Sequence, residues 1–460
     1  MRHGRFPTSQ RMVNASSRVA VHAQQRSSCP GILWLSCVVM TLLLNACSFG
    51  HRNFDTATGP FREPDGFVLQ IDDSGWFWDP QVAGRALDTI TKESGRTNTI
   101  VVLFVHGWHH NAAADDENAR DFAKSLVTIR EKLTQPLYRQ SREKLTGHGD
   151  VRVIGIYVGW RGKSLPMPLD YATFWGRKAA AERVGEGDLR EFLLRLNGIY
   201  YQRSTAREGS RTAPFMGLVS IGHSFGGQVL FRVVSSAIEK ELIEATPSIP
   251  NSEGRKTKVR KPVQGFGDIT VLINPALEAL QYHRIHQLNS QLEYNRRQTP
   301  LLLVMSAEND LARKLAFPVG RWLGVLVRAS FRDDQAELWR RALGEYEPQR
   351  THEVEIVSEP NNFDPTDYVE HPCRIVNADL TDVPTIGGVR LKPLEGRRQP
   401  FSPFVVAYAS PGVILRHSGI FEQSLRNFLN DYVAILEGKK MLLGGPENFG
   451  QTCAPAEPTG

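Results

Sequence analysis

Leu218-Val219-Ser220-Ile221-Gly222-His223-Ser224-Phe225-Gly226-Gly227-Gln228 is the stretch on which the reading of this chain turns. An apolar run ends in Gly-x-Ser-x-Gly, and apolar residues then recur at helical spacing in Val229, Leu230, Val233, Val234, Ala237 and Ile238. The order strand, sharp turn, helix gives a five-residue pattern chemical weight, because such a turn lifts the serine Oγ clear of the sheet in a strained conformation. Gly222 and Gly226 have no Cβ, so neighbouring segments can pack against the turn. Ser224 stands at the start of the helix, where oriented N–H groups favour a developing negative charge. It is the candidate nucleophile, against the plainer reading of a structural serine in a glycine-rich turn.

Working outward, strand-like apolar runs recur at Phe67 to Ile71, Thr99 to Val105, Val151 to Val158, Ile269 to Ile273, Leu301 to Met305 and Phe404 to Tyr408. Several are almost wholly apolar, as strands covered on both faces of a parallel sheet must be. Helical patterns separate many of them, and a last one runs through Phe421, Leu425, Phe428, Leu429, Tyr432, Val433 and Leu436. The alternation predicts an α/β fold, a doubly wound and mostly parallel sheet. Residues 331–400, rich in charge and proline, read as an insertion before the last strand. The basic run Arg255 to Lys261 reads as a solvated turn, with anionic lipid head groups as a functional alternative.

A second cluster follows the Thr99 to Val105 run: Val105-His106-Gly107-Trp108-His109-His110-Asn111. A His-Gly loop there can supply one backbone donor of an oxyanion hole, the residue after the nucleophile supplying the other; by position these are Trp108 and Phe225. Such donors each contribute about 3 kcal/mol to lowering an acyl-transfer barrier. No carboxylate or cysteine set accompanies the three histidines, so no metal is expected, and acyl transfer by a triad needs no cofactor. Acid and base should follow later strands, in the chain order serine, acid, histidine. Ser306-Ala307-Glu308-Asn309-Asp310 offers Asp310 first, with Glu308 as rival and Glu278 as a weaker one. His417 lies before the final helix and is the only histidine after His371.

These residues resemble the α/β-hydrolase superfamily, especially lipase- and esterase-like members with a Gly-His-Ser-x-Gly-Gly elbow. The likeness spans residues 65–437 in element order, with the elbow and the His-Gly loop as its specific motifs. Asp72-Asp73-Ser74-Gly75-Trp76 and Gly159-Trp160-Arg161-Gly162 are similar to parts of exported hydrolases of that superfamily. The resemblance implies a serine esterase acting through Ser224, Asp310 and His417 on a small-molecule or lipid ester. A silent envelope scaffold and an acyltransferase with the same triad are the alternatives. The segment Ser164 to Trp175 is apolar enough to cap an acyl pocket.

The N-terminus points to export. Residues 1–46 hold Arg2, Arg5, Arg11, Arg18 and Arg26, no acidic residue, and an uncharged run from Gly31 to Ala46. That is the layout of a secretory signal. Leu44-Asn45-Ala46-Cys47 resembles the lipobox of bacterial lipoproteins, which implies lipid attachment at Cys47, a tether over 47–63, a domain over 64–437 and a flexible tail over 438–460. Ser48 after the lipidated residue implies an outer-membrane place in the bacterial envelope, facing the periplasm. Losing the signal's five arginines takes the formal net charge from +6 to +1, so the basic composition argues for no nucleic-acid partner. The cysteines left besides Cys47 are Cys373 and Cys453, an exported pair able to form a disulfide.

Overall fold

The computed structural model describes residues 60–162, 173–210, 212–246, 256–310, 335–359, 367–382, 385–444 and 453. Residues 1–46, Cys47, most of the tether and most of the 164–175 segment lie outside the described residues.

Nine strands form one sheet: β1 (Gly66–Gln70), β2 (Asn98–Val105), β3 (Val151–Gly159), β4 (Met216–His223), β5 (Ile269–Ile273), β6 (Leu302–Ala307), β7 (His352–Ile356), β8 (Val389–Pro393) and β9 (Phe404–Ala409). Their spatial order is β1-β3-β2-β4-β5-β6-β9-β7-β8. Every neighbouring pair is parallel except β7 with β8. The chain is thus α/β, a mostly parallel sheet flanked by helices.

The longer helices are α1 (Pro80–Ser94), α2 (Glu117–Leu133), α3 (Pro136–Thr146), α4 (Phe174–Glu186), α5 (Asp188–Gly209), α6 (Phe225–Ala245), α7 (Ala279–Ser290) and α8 (Gln423–Leu443). Residues of α1, α4, α5, α6 and α7 pack on one face of the sheet; those of α2, α3 and α8 pack on the other. The period of two divides β2 between these layers: Val101, Leu103 and Val105 face the first, Ile100, Val102 and Phe104 the second. This double coverage is why the strand reads as an unbroken apolar run. α1 and α2 start at aspartate caps, Asp79 accepting from Gln81 N–H and Asp116 from Asn118 and Ala119 N–H.

Two stretches carry more structure than their sequence suggests. Within the expected insertion 331–400, β7 and β8 extend the sheet beyond β9. They leave no apolar run in the sequence: β8 is the edge strand, and β7 beside it, His352-Glu353-Val354-Glu355-Ile356, buries only His352 and Val354 and shows charge between them. The tail expected from residue 438 begins inside α8, which runs to Leu443 with Lys439, Met441 and Leu442 buried. Cys453 is buried too and is disulfide-bonded to Cys373.

Candidate active site

Ser224 sits between β4 and α6 with φ 54° and ψ −119°, a conformation that costs a non-glycine residue about 1–3 kcal/mol. The surroundings fix it. Ser224 N–H donates to the Ile273 carbonyl at 3.0 Å, and the Ser224 carbonyl accepts from Gly227 and Ala276 N–H, both at 3.0 Å. The glycines of the turn are sterically required: a Cβ on Gly226 would lie 2.0 Å from the Val105 carbonyl, and one on Gly222 would lie 2.7 Å from the Gly226 carbonyl. Both are closer than real Cβ contacts come.

The turns after β6 and β9 bring two more side chains to Ser224. His417 Nε2 is 2.8 Å from Ser224 Oγ, and His417 Nδ1 is 2.6 Å from Asp310 Oδ2. An ionised carboxylate only accepts, so Nδ1 carries the proton and Nε2 is left bare to accept from the serine hydroxyl. Asp310 is fully buried, whereas His417 keeps a quarter of its side chain exposed. Glu308, the rival acid, is exposed and takes no part. Glu278 is buried and engaged elsewhere, with Lys178 Nζ at 2.6 Å from its Oε1.

The loop after β2 closes over the serine. A Cβ on Gly107 would lie 2.8 Å from Ser224 Cβ, so only a glycine lets this backbone come so near. Trp108 follows, its ring 5.3 Å from Phe174 and 6.3 Å from Phe225, and His109 takes φ 72°. Phe225 is the first residue of α6, where an N–H has no acceptor within the helix. His106 holds the loop: Nδ1–H donates to the Gly107 carbonyl at 2.8 Å and Nε2 accepts Trp160 N–H at 3.0 Å. Trp160 Nε1–H donates back to the His106 carbonyl at 2.9 Å. Burial lowers the His106 pKa to about 4, so this ring is a neutral structural brace. His110 pairs with Asp116 at 3.3 Å. Among the described residues, no group of three or more His, Cys, Asp or Glu could hold a metal ion.

Two residues the sequence reading passed over hold the base. His223 Nε2–H donates to the His417 carbonyl at 2.8 Å, and Asn274 Nδ2 donates to the same oxygen at 2.9 Å. Asn274 Oδ1 accepts Ala307 N–H at 2.7 Å, so one amide ties the end of β6 to the His417 loop. Burial drives the His223 pKa well below its ordinary value, which keeps the ring neutral and its Nε2–H on the carbonyl. The available signals were an Asn-Pro directly after a strand and a histidine inside the turn. Asp73, in the quoted Asp72 to Trp76 stretch, forms a two-point pair with Arg177 at 2.8 Å per contact. It also meets Arg161 at 2.7 Å, joining the loops after β1 and β3 to α4.

No protein-family model, curated protein or solved structure matches this chain.

Proposed function

We propose that this protein is a serine hydrolase of the α/β-hydrolase type that cleaves an ester-like bond through Ser224, His417 and Asp310. One observation carries the reading: the hydrogen-bonded line from Ser224 Oγ to His417 Nε2 at 2.8 Å and from His417 Nδ1 to Asp310 at 2.6 Å. Its chain order, serine, acid, histidine, supports the same reading. Ser224 Oγ attacks the ester carbonyl carbon as its proton passes to His417 Nε2. Asp310 keeps the imidazole in its tautomer and stabilises the imidazolium. The tetrahedral oxyanion is bound by the N–H groups of Trp108 and Phe225. Collapse breaks the bond to the leaving alkoxide, which departs as the alcohol with the proton from His417, and the acyl group stays on Ser224. Water then repeats the sequence, with His417 as base, and frees the carboxylic acid. None of these steps calls for a metal or an organic cofactor.

The protein works, in this reading, as a lipoprotein held by Cys47 at the bacterial outer membrane. The test is a panel of p-nitrophenyl esters of graded acyl length, with Ser224→Ala as control and an added alcohol in a parallel series. A hydrolase releases free acid in a Ser224-dependent way. Ester product with the added alcohol in place of acid would make it an acyltransferase, and no turnover of any ester would leave the reading without its activity.

A further inference from the structure

The two ends of the sheet carry different groups. Strands β1 to β6 and β9 are all parallel, so Ser224, Asp310 and His417 gather where these strands end. The segment that precedes β1 enters at the opposite end. There the described part of the basic run, from residue 256 on, is folded: Thr257 and Lys258 pair with Leu292 and Glu293 in a two-stranded ladder. Val263 N–H is held by Gln298 Oε1 at 2.7 Å before the chain turns into β5.

On this end Lys256, Lys258, Arg260, Lys261 and Arg297 are exposed. None has a carboxylate within ion-pair distance among the described residues, although Glu293 stands in register with Lys258. Cations elsewhere on the surface are commonly paired, as Arg85 is with Glu63, Arg195 with Glu191 and Lys240 with Glu244. Two of the acidic groups nearby are engaged elsewhere. Asp268 pairs with Lys440 at 3.0 Å, and Glu241 accepts Gln264 N–H at 3.4 Å. A chain whose formal charge without residues 1–46 is only +1 thus sets five exposed cations, none ion-paired among the described residues, at one end.

We infer that this end of the sheet docks on an anionic phospholipid surface. The inference rests on the lipoprotein reading for its geometry. Thirteen residue steps separate Cys47 from Pro60, a reach of about 45 Å when extended. Four strand spacings, about 19 Å, separate β1 from β5, so a chain anchored at Cys47 can set the basic end on the same bilayer. Basic side chains near such a surface each gain appreciable attraction, which salt screens. Docked this way, the Ser224 site opens away from the anchoring membrane and meets substrates from the aqueous side.

The test reconstitutes the full chain with vesicles rich in phosphatidylglycerol and, separately, with phosphatidylcholine alone. Flotation scores attachment, and amine acylation mapped by mass spectrometry scores Lys256, Lys258 and Lys261 against Lys124 on α2. Expected is about tenfold slower acylation of the three lysines on the anionic vesicles only, reversed by high salt. The triple variant Lys258→Glu, Arg260→Glu, Lys261→Glu should lose the protection at Lys256. Equal acylation on both vesicle types, or protection that survives the triple variant, overturns the inference. Failure of the anchor reading is seen separately: such a chain fails to float with phosphatidylcholine, while a docking end still makes it float with anionic vesicles.

Discussion

His223 Nε2–H donates to the carbonyl of His417 at 2.8 Å, so the residue just before Ser224 holds the backbone of the residue whose ring touches Ser224. Asn274 shares that carbonyl. The base is thus fixed from behind by two neutral side chains on β4 and just after β5. Asn274→Ala should lower kcat by about 10–100-fold with little change in KM, because a base misplaced by a fraction of an ångström loses its line to Oγ while substrate binding persists. A fall confined to KM would show that Asn274 shapes the pocket instead.

The choice between the two acids has a direct kinetic consequence. Asp310→Asn leaves His417 free to take the wrong tautomer, and a loss of about 10⁴ in kcat is expected. Glu308 is exposed and its carboxylate makes no hydrogen bond to Ser224, His417 or Asp310, so Glu308→Gln should keep most activity. Comparing the two on one ester separates them, and the reverse ranking would move the acid to Glu308.

Glu437 lies wholly buried beside Asp268 and Lys440. Desolvation first, then the Asp268 charge, raises its pKa well above 4.5. A carboxyl raised in the folded state favours folding below its unfolded pKa and loses that contribution as pH rises toward the folded one. Glu437→Gln, which mimics the protonated acid, should therefore raise Tm by about 1–3 °C at neutral pH, with the gain shrinking near pH 4. Thermal scans at both pH values check it; a variant less stable at neutral pH would mean that the charged form is the favoured one.

Gly226→Ala should be poorly tolerated, since its Cβ would press to 2.0 Å from the Val105 carbonyl. Backbone atoms on both sides leave no flexible group to yield, and overpacking of this kind costs about 1–3 kcal/mol. Urea unfolding should show the loss, along with loss of activity. Gly84→Ala is the control, as a Cβ there meets nothing within 4 Å.

The Cys373–Cys453 bridge closes 80 residues of chain, and removing it by Cys453→Ser should cost about 2–5 kcal/mol. Denaturant curves under oxidising conditions measure the difference. Reduction of the unsubstituted protein should reproduce it.

What the sequence disclosed was what leaves a periodic or positional trace. Strands buried on both faces read as apolar runs, and the turns after β4, β6 and β9 follow from the ends of those runs, which is how Ser224, Asp310 and His417 could be named together. The last two strands of the sheet, β7 and the edge strand β8, left no such trace, because β7 buries only His352 and Val354 among glutamates. The end of α8 misled for a related reason: Lys439 and Lys440 look solvated, yet Lys439 is buried and Lys440 Nζ reaches Asp268. The double grip on the His417 carbonyl left only faint signals, the Asn-Pro after β5 and the histidine of the turn, since recognition of a backbone oxygen by a distant side chain writes no motif.

Whether Ser224 is a nucleophile decides the function, and covalent labelling by a fluorophosphonate followed by peptide mapping asks that without knowledge of the substrate. Expected are a single adduct on Ser224, none in Ser224→Ala, and a strongly slowed reaction in His417→Ala. Folded protein that takes no label, or takes it on another residue, would contradict it.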